Sequence, residues 1–288
     1  MFKKCFLILA MVLLLYSHCL ADEESGVLKY DVTEDTSVED RFESYAELMT
    51  CLGVEIEEEE IPLYHYYQSK DWWDDASEEE YLTMIQKSLK AKPNSGRLLM
   101  YLGDYYHYLK KNKEEWVRCY QKAYQLQPSD IEIASDYLTV CNELNDEETA
   151  MIVFRGIKEP LAPILHSSEE SILINKAASL YAGALSEMVV LFSRCHDFSL
   201  ADAYLDELFS IPTTVFSRYA CGFEALGYYF DLSEQISDQE RVKFCAEMIL
   251  TLYNEAELAY PEPSNDLFLL NFIYGHVLSR AEEYINTH

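Results

Sequence analysis

Between Leu99 and Pro128 the chain reads LMYLGDYYHYLKKNKEEWVRCYQKAYQLQP, and its apolar positions repeat at a helical spacing. Leu99, Leu102, Gly103 and Tyr106 stand at i, i+3, i+4 and i+7 and share one helical face. Gly103 carries no side chain and leaves room there for a second helix to come close. After the polar break from Lys110 to Lys113, Trp116, Tyr120, Ala123 and Tyr124 resume the period. Pro128 ends it, because a proline nitrogen has no hydrogen to donate. The pattern predicts two amphipathic helices folded back on one another. Such a pair cannot bury its apolar stripe alone, so further pairs are expected to stack on it.

The rest of the chain meets that expectation in pattern. Tyr81, Ile85 and Leu89 lead to Pro93, 35 residues before Pro128. Ala134, Tyr137, Leu138 and Cys141 begin another unit, whose second helix carries Ala150, Phe154 and Ile157. Leu185, Met188 and Phe192, then Ala201, Leu205, Leu208 and Pro212, form a fourth, with Ala177, Ala178, Ala182, Gly183 and Ala184 permitting close helix approach. Phe223, Leu226, Gly227 and Phe230, then Ile249, Tyr253, Ala256 and Pro261, form a fifth, in which Gly227 is expected at a tight helix contact. Repeats are expected at about 61–95, 97–130, 131–164, 170–215 and 217–263, with a capping helix over 264–288.

The stretch from Leu99 to Pro128 resembles the tetratricopeptide repeat, whose pattern is W-x2-L-G-x2-Y, then A-x3-F, then P. Leu99 replaces the aromatic residue, Trp116 stands where a small alanine is usual, and the turn is one residue long for the family. The resemblance implies an all-α fold, a right-handed α-α superhelix of helical hairpins. It also implies a concave face made mainly of the first helices. That face would hold Arg97, Met100, Asp104, His107 and Tyr108 in the well-formed unit, and Glu132, Ser135, Thr139, Asn142 and Glu143 in the next.

Ahead of the repeats, residues 1–21 place two lysines before an apolar run from Cys5 to Tyr16 and end in Cys19-Leu20-Ala21. This predicts a secretory signal peptide cleaved before Asp22, hence an exported protein, periplasmic or secreted. A retained anchor is the alternative, although the run is shorter than the roughly 20 residues a span needs. Residues 22–60 are acidic and carry one helical pattern from Val38 to Leu52. The carboxylates Glu57 to Glu60 read as a solvated loop, since the alternating donors and glycine of a calcium loop are missing. Tyr64, Tyr66, Tyr67, Trp72 and Trp73 form either an exposed aromatic surface or the inner face of a capping helix.

Without the leader, 20 basic and 51 acidic side chains remain, a formal charge of −31. Phosphate is repelled by such a chain, which argues against nucleic acid, and a basic protein or peptide is electrostatically suited. Six cysteines remain, widely spaced, with Cys119 and Cys141 the pair that consecutive helices would bring nearest. His65, His107, His166, His196 and His276 are dispersed, so neither metal nor cofactor is expected. No nucleophile elbow, P-loop or dinucleotide fingerprint occurs, and Cys195 beside His196 points away from it on a helix end. The expected function is therefore a non-catalytic scaffold that binds a protein or peptide on its concave face. A structural or assembly subunit is one alternative. A small-ligand protein or enzyme with a pocket near Trp72, Trp73 and Trp116 is another.

Overall fold

The computed structural model describes residues 46, 49–50, 54, 56–68, 75–165, 172–212, 216–260 and 265–287. The leader, the helix expected over Val38 to Leu52, and Trp72 and Trp73 lie outside those residues as expectations that the structure does not reach. The described residues form α1 (Ile61–Gln68), α2 (Asp75–Ala91), α3 (Gly96–Asp104), α4 (Lys113–Leu126), α5 (Ile131–Leu144), α6 (Glu147–Leu165), α7 (Ile172–Arg194), α8 (Phe198–Phe209), α9 (Phe216–Gln235), α10 (Gln239–Ala259) and α11 (Asn265–Thr287). No strand occurs among them.

Two layers follow from the contacts. The odd helices touch in succession, α3 on α5, α5 on α7, α7 on α9 and α9 on α11. Each even helix from α4 to α10 packs on the odd helix before it and the one after it. Between the layers lies the apolar stripe that the sequence period predicts. Leu185, Met188, Phe192, Ala201, Leu205, Phe223, Leu226, Ile249 and Ala256 are all buried in one cluster extending from Ile131 to Ala281. Two smaller clusters lie on its N-terminal side, one around Trp116 and Tyr120 and one around Tyr81 and Tyr105. Trp116 is thus closed into packed core, in tilted contact with His107 at 4.2 Å between ring centroids.

The turn inside each hairpin is built the same way. Lys111, Asn145, His196 and Ser237 take left-handed backbone with φ of 52–62°. Each is followed by Asn112, Asp146, Asp197 or Asp238, whose side-chain oxygen accepts from the backbone N–H three residues on. In three turns that Asp donates its own N–H to the carbonyl five residues back, at Cys141, Phe192 and Ser233. In the first, Asn112 reaches six residues back, to Tyr106. The additional residue is absorbed by a wider π-helical turn over Tyr105–Lys110 that continues α3. The long turn seen in the sequence is therefore a widened helix end, not a looser packing around Trp116.

Gly103 lies where it was expected, against α4: a Cβ there would stand 2.5 Å from the Tyr120 ring. Gly227 instead faces α11, where a Cβ would stand 3.2 Å from Val277. All five described cysteines are free thiols, Cys119 and Cys141 included. Burial pushes the Cys119 and Cys195 thiols up to about 11, which leaves them protonated and inert at neutral pH.

Arg97 is fully enclosed, 0% exposed, and holds three units together. Its Nε donates to Glu60 ahead of α1, Nη1 to Asp130 Oδ2 at 2.9 Å, and Nη2 to Glu132 Oε2 at 2.7 Å. Asp130 is also the N-cap of α5, its Oδ1 accepting from the N–H groups of Glu132 and Ile133. Glu60 is therefore not a solvated acid: it is 1% exposed.

Arg97→Met should destabilise by about 3–5 kcal/mol in urea titration, because it leaves buried carboxylates uncompensated. Gly103→Ala should destabilise by about 1–3 kcal/mol through overpacking against Tyr120. Gly183→Ala, at a glycine with nothing within 4 Å of the added Cβ, should instead stabilise by up to about 1 kcal/mol.

Candidate functional site

The polar faces of the odd helices converge on one recess of about 330 Å³, lined by α5, α7, α9 and α11. From α5 come Thr139, Asn142 and Glu143, three of the residues expected on the concave face. Thr139 and Asn142 are one turn apart and both reach Glu187 on α7. The threonine hydroxyl donates to Oε1 at 3.1 Å and the amide Nδ2 to Oε2 at 2.6 Å. A carboxylate can only accept, so Nδ2 must face Glu187, and the Asn142 Oδ1 is left buried without a partner. Glu143 at the rim accepts from Lys113 at 2.8 Å.

Two turns along α7 from Glu187, Arg194 donates from Nε to the Tyr228 hydroxyl at 3.0 Å and from Nη1 to the Asn142 carbonyl at 2.8 Å. Its guanidinium also lies over the Tyr228 ring, 5.4 Å from the centroid. On α9, Glu224, Tyr228 and Asp231 share one face at i, i+4 and i+7. Asp231 pairs with Arg280 of α11. Glu187 and Glu224 have no ion-pair partner among the described residues. Burial pushes the Glu224 carboxyl up to about 8, and the neighbouring Glu187 adds to the rise. Burial also raises Glu187, against the pull of its hydrogen bonds from Asn142 and Thr139 and of the Arg194 charge. Val190, Phe223 and Val277 supply apolar wall between these groups. Neither the acids nor the histidine of the recess form a metal-binding set among the described residues.

The other expected site residues lie elsewhere. Arg97 is the buried hub described above, and Met100 is buried in the cluster with Trp116, so neither can meet a partner from the concave side. Asp104 accepts from the Tyr120 hydroxyl, and burial raises its carboxyl to about 7. His107 packs on Trp116 and on Tyr108, and burial lowers it to about 4, so it is neutral at pH 7. Tyr64 is buried, which removes it from an exposed aromatic surface. Tyr66 stacks on Tyr81 at 5.8 Å and donates to Glu80 at 2.7 Å.

Over 105 residues the chain is 30% identical to Tetratricopeptide repeat protein 37 of Xenopus laevis, a match covering 35% of this chain and 7% of that protein. Over 105 residues it is 27% identical to Superkiller complex protein 3 of Mus musculus, again with 35% of this chain and 7% of that protein covered. The chain thus spans about 7% of the length of the curated relatives it matches. Among solved structures, PilW, titled a widely conserved type IV pilus biogenesis factor, aligns with a TM-score of 0.38 and 16% identity, over 74% of this chain and 96% of that one. No family model matches. The matched relatives support a divergent tetratricopeptide repeat protein. A helical repeat fold of this kind suits protein–protein interaction or a scaffold role.

Glu187, Arg194, Glu224 and Tyr228 were not singled out from the sequence. Their signal was a polar stripe on two otherwise apolar helices: Ser186, Glu187 and Arg194 on α7, and Glu224, Tyr228 and Asp231 on α9. Extending the concave-face positions from the second and third units to the fourth and fifth would have found them.

A carboxyl raised from 4.5 in the unfolded chain to about 8 in the fold adds stability that is complete below pH 4.5 and lost as pH rises through 8. Glu224→Gln should therefore raise the melting temperature at pH 9 and leave it nearly unchanged at pH 4.5, as read by circular dichroism melts.

Proposed function

We propose that this chain is a non-catalytic scaffold that binds a basic protein segment along the face formed by its odd helices. The observation that carries the reading is the recess on that face, where Glu187 and Glu224 lie without basic partners beside apolar wall. A binding surface needs enclosed apolar area for affinity and unsatisfied polar groups for orientation, and this recess holds both. The outer layer offers less. Its exposed apolar residues, among them Ile152 and Leu258, lie on different helices.

The reading extends to location. The two lysines, the apolar run and the Cys19-Leu20-Ala21 site of the leader support export to the periplasm or beyond. In an exported setting a strongly acidic scaffold would meet basic segments of other exported proteins, to which it is drawn at long range.

Selection of displayed peptides on the immobilised chain should enrich lysine- and arginine-containing sequences. Thr139→Arg combined with Glu224→Lys should abolish their binding without changing the far-ultraviolet circular dichroism. Ile152→Arg on the outer layer should leave it intact. Binding that survives the first change and is lost with the second would refute the concave-face reading.

A further inference from the structure

We propose that the recess between α5, α7, α9 and α11 is a receptor for a single lysine side chain presented by the bound segment. This rests on the concave-face reading above and names the group that the recess selects.

Two acceptors there have unmet capacity. Glu224 makes no hydrogen bond among those of the described residues, and Glu187 has only the neutral donors of Asn142 and Thr139. The Oδ1 of Asn142, a side chain only 5% exposed, is sealed behind the apolar wall and has no partner among the described residues. Its position is fixed, because the Nδ2 end is held on Glu187. Acceptors without donors select a donor, and two carboxyls that hold one another's charge back select a cation.

The cations already present do not fill the role. Arg194 is engaged with Tyr228 and with the Asn142 carbonyl, Lys113 with Glu143, and Arg280 with Asp231 and Glu234. His276 is exposed at the rim.

An ammonium group brings donors and no acceptor, which suits the two acids Glu187 and Glu224. Its aliphatic stem suits the wall of Val190, Phe223 and Val277. A guanidinium is less well served, since it favours a planar carboxylate fork or an aromatic face, and the Tyr228 face is covered by Arg194. Gly227 keeps the recess open, because a Cβ there would come within 3.2 Å of Val277.

The test uses the full chain with methyl-labelled valine and isoleucine and the capped pentapeptide Ser-Gly-Lys-Gly-Ser, followed by nuclear magnetic resonance. Counterparts carry norleucine, acetyl-lysine or arginine at the centre, and spermidine serves as a free polyamine. The lysine peptide is expected to shift the Val190 and Val277 methyl signals. The norleucine and acetyl-lysine peptides should bind at least about tenfold more weakly. Glu187→Gln with Glu224→Gln should remove the shifts. So should Val190→Phe, which fills the recess without touching an acid.

Equal binding of the lysine and norleucine peptides overturns the lysine receptor and leaves the concave-face reading standing. Tighter binding of the arginine peptide or of spermidine overturns the assignment to a protein lysine. Shifts confined to outer-layer methyls such as those of Ile152 overturn both readings.

Discussion

Arg97 is the point through which the N-terminal half of the solenoid is held in register. A guanidinium removed from water must find a donor-for-donor match, and here its three nitrogens reach one carboxylate ahead of α1 and two at the start of α5. Lysine could not do this, since an ammonium is a compact point charge without a fork that fans its donors outward. Because Asp130 both accepts from Arg97 and caps α5, the ion cluster fixes the start of the next inner helix as well as its distance. The cost of desolvation means that such a cluster specifies an arrangement more than it adds net stability.

The same scarcity of cations shapes the recess. With 51 acids and 22 bases in the chain, most basic side chains near the inner face are engaged by structure, and some inner acids have none. Glu143 and Asp231 obtain Lys113 and Arg280, both at the rim. Deeper in, Glu187 obtains only neutral donors and Glu224 none. The acidic composition thus leaves two inner-layer acids without an ion-pair partner among the described residues.

The fold was largely legible because the helical period is a one-dimensional signal. Leu185, Met188 and Phe192 announce their face whatever they pack against, and all three are buried. The site was legible only in part. Thr139, Asn142 and Glu143 lie on the polar stripe that the repeat pattern marked, and all three line the recess. Arg97 and Met100 were misplaced because a helix start tucked beneath the preceding unit buries a turn that is open elsewhere, and no local pattern records that depth. The sequence also could not show that Glu60 lies beside Arg97, since the two are brought together from 37 residues apart. The repeated turn was visible in retrospect as Lys111-Asn112, Asn145-Asp146, His196-Asp197 and Ser237-Asp238, but no single instance stands out from an ordinary polar loop.

The separate apolar clusters bear on how the chain comes apart. In a stacked array, each unit is stabilised by itself and by its neighbours, so the weakest seam opens first. The units from α5 onward share one uninterrupted cluster, whereas those before it rest on two small ones bridged by Arg97. Backbone amides of α1 to α4 should consequently exchange with solvent through partial openings that leave α5 to α11 folded. The recess belongs wholly to the second group, so an encounter, a strain or a proteolytic cut at the N-terminal units would leave its architecture in place.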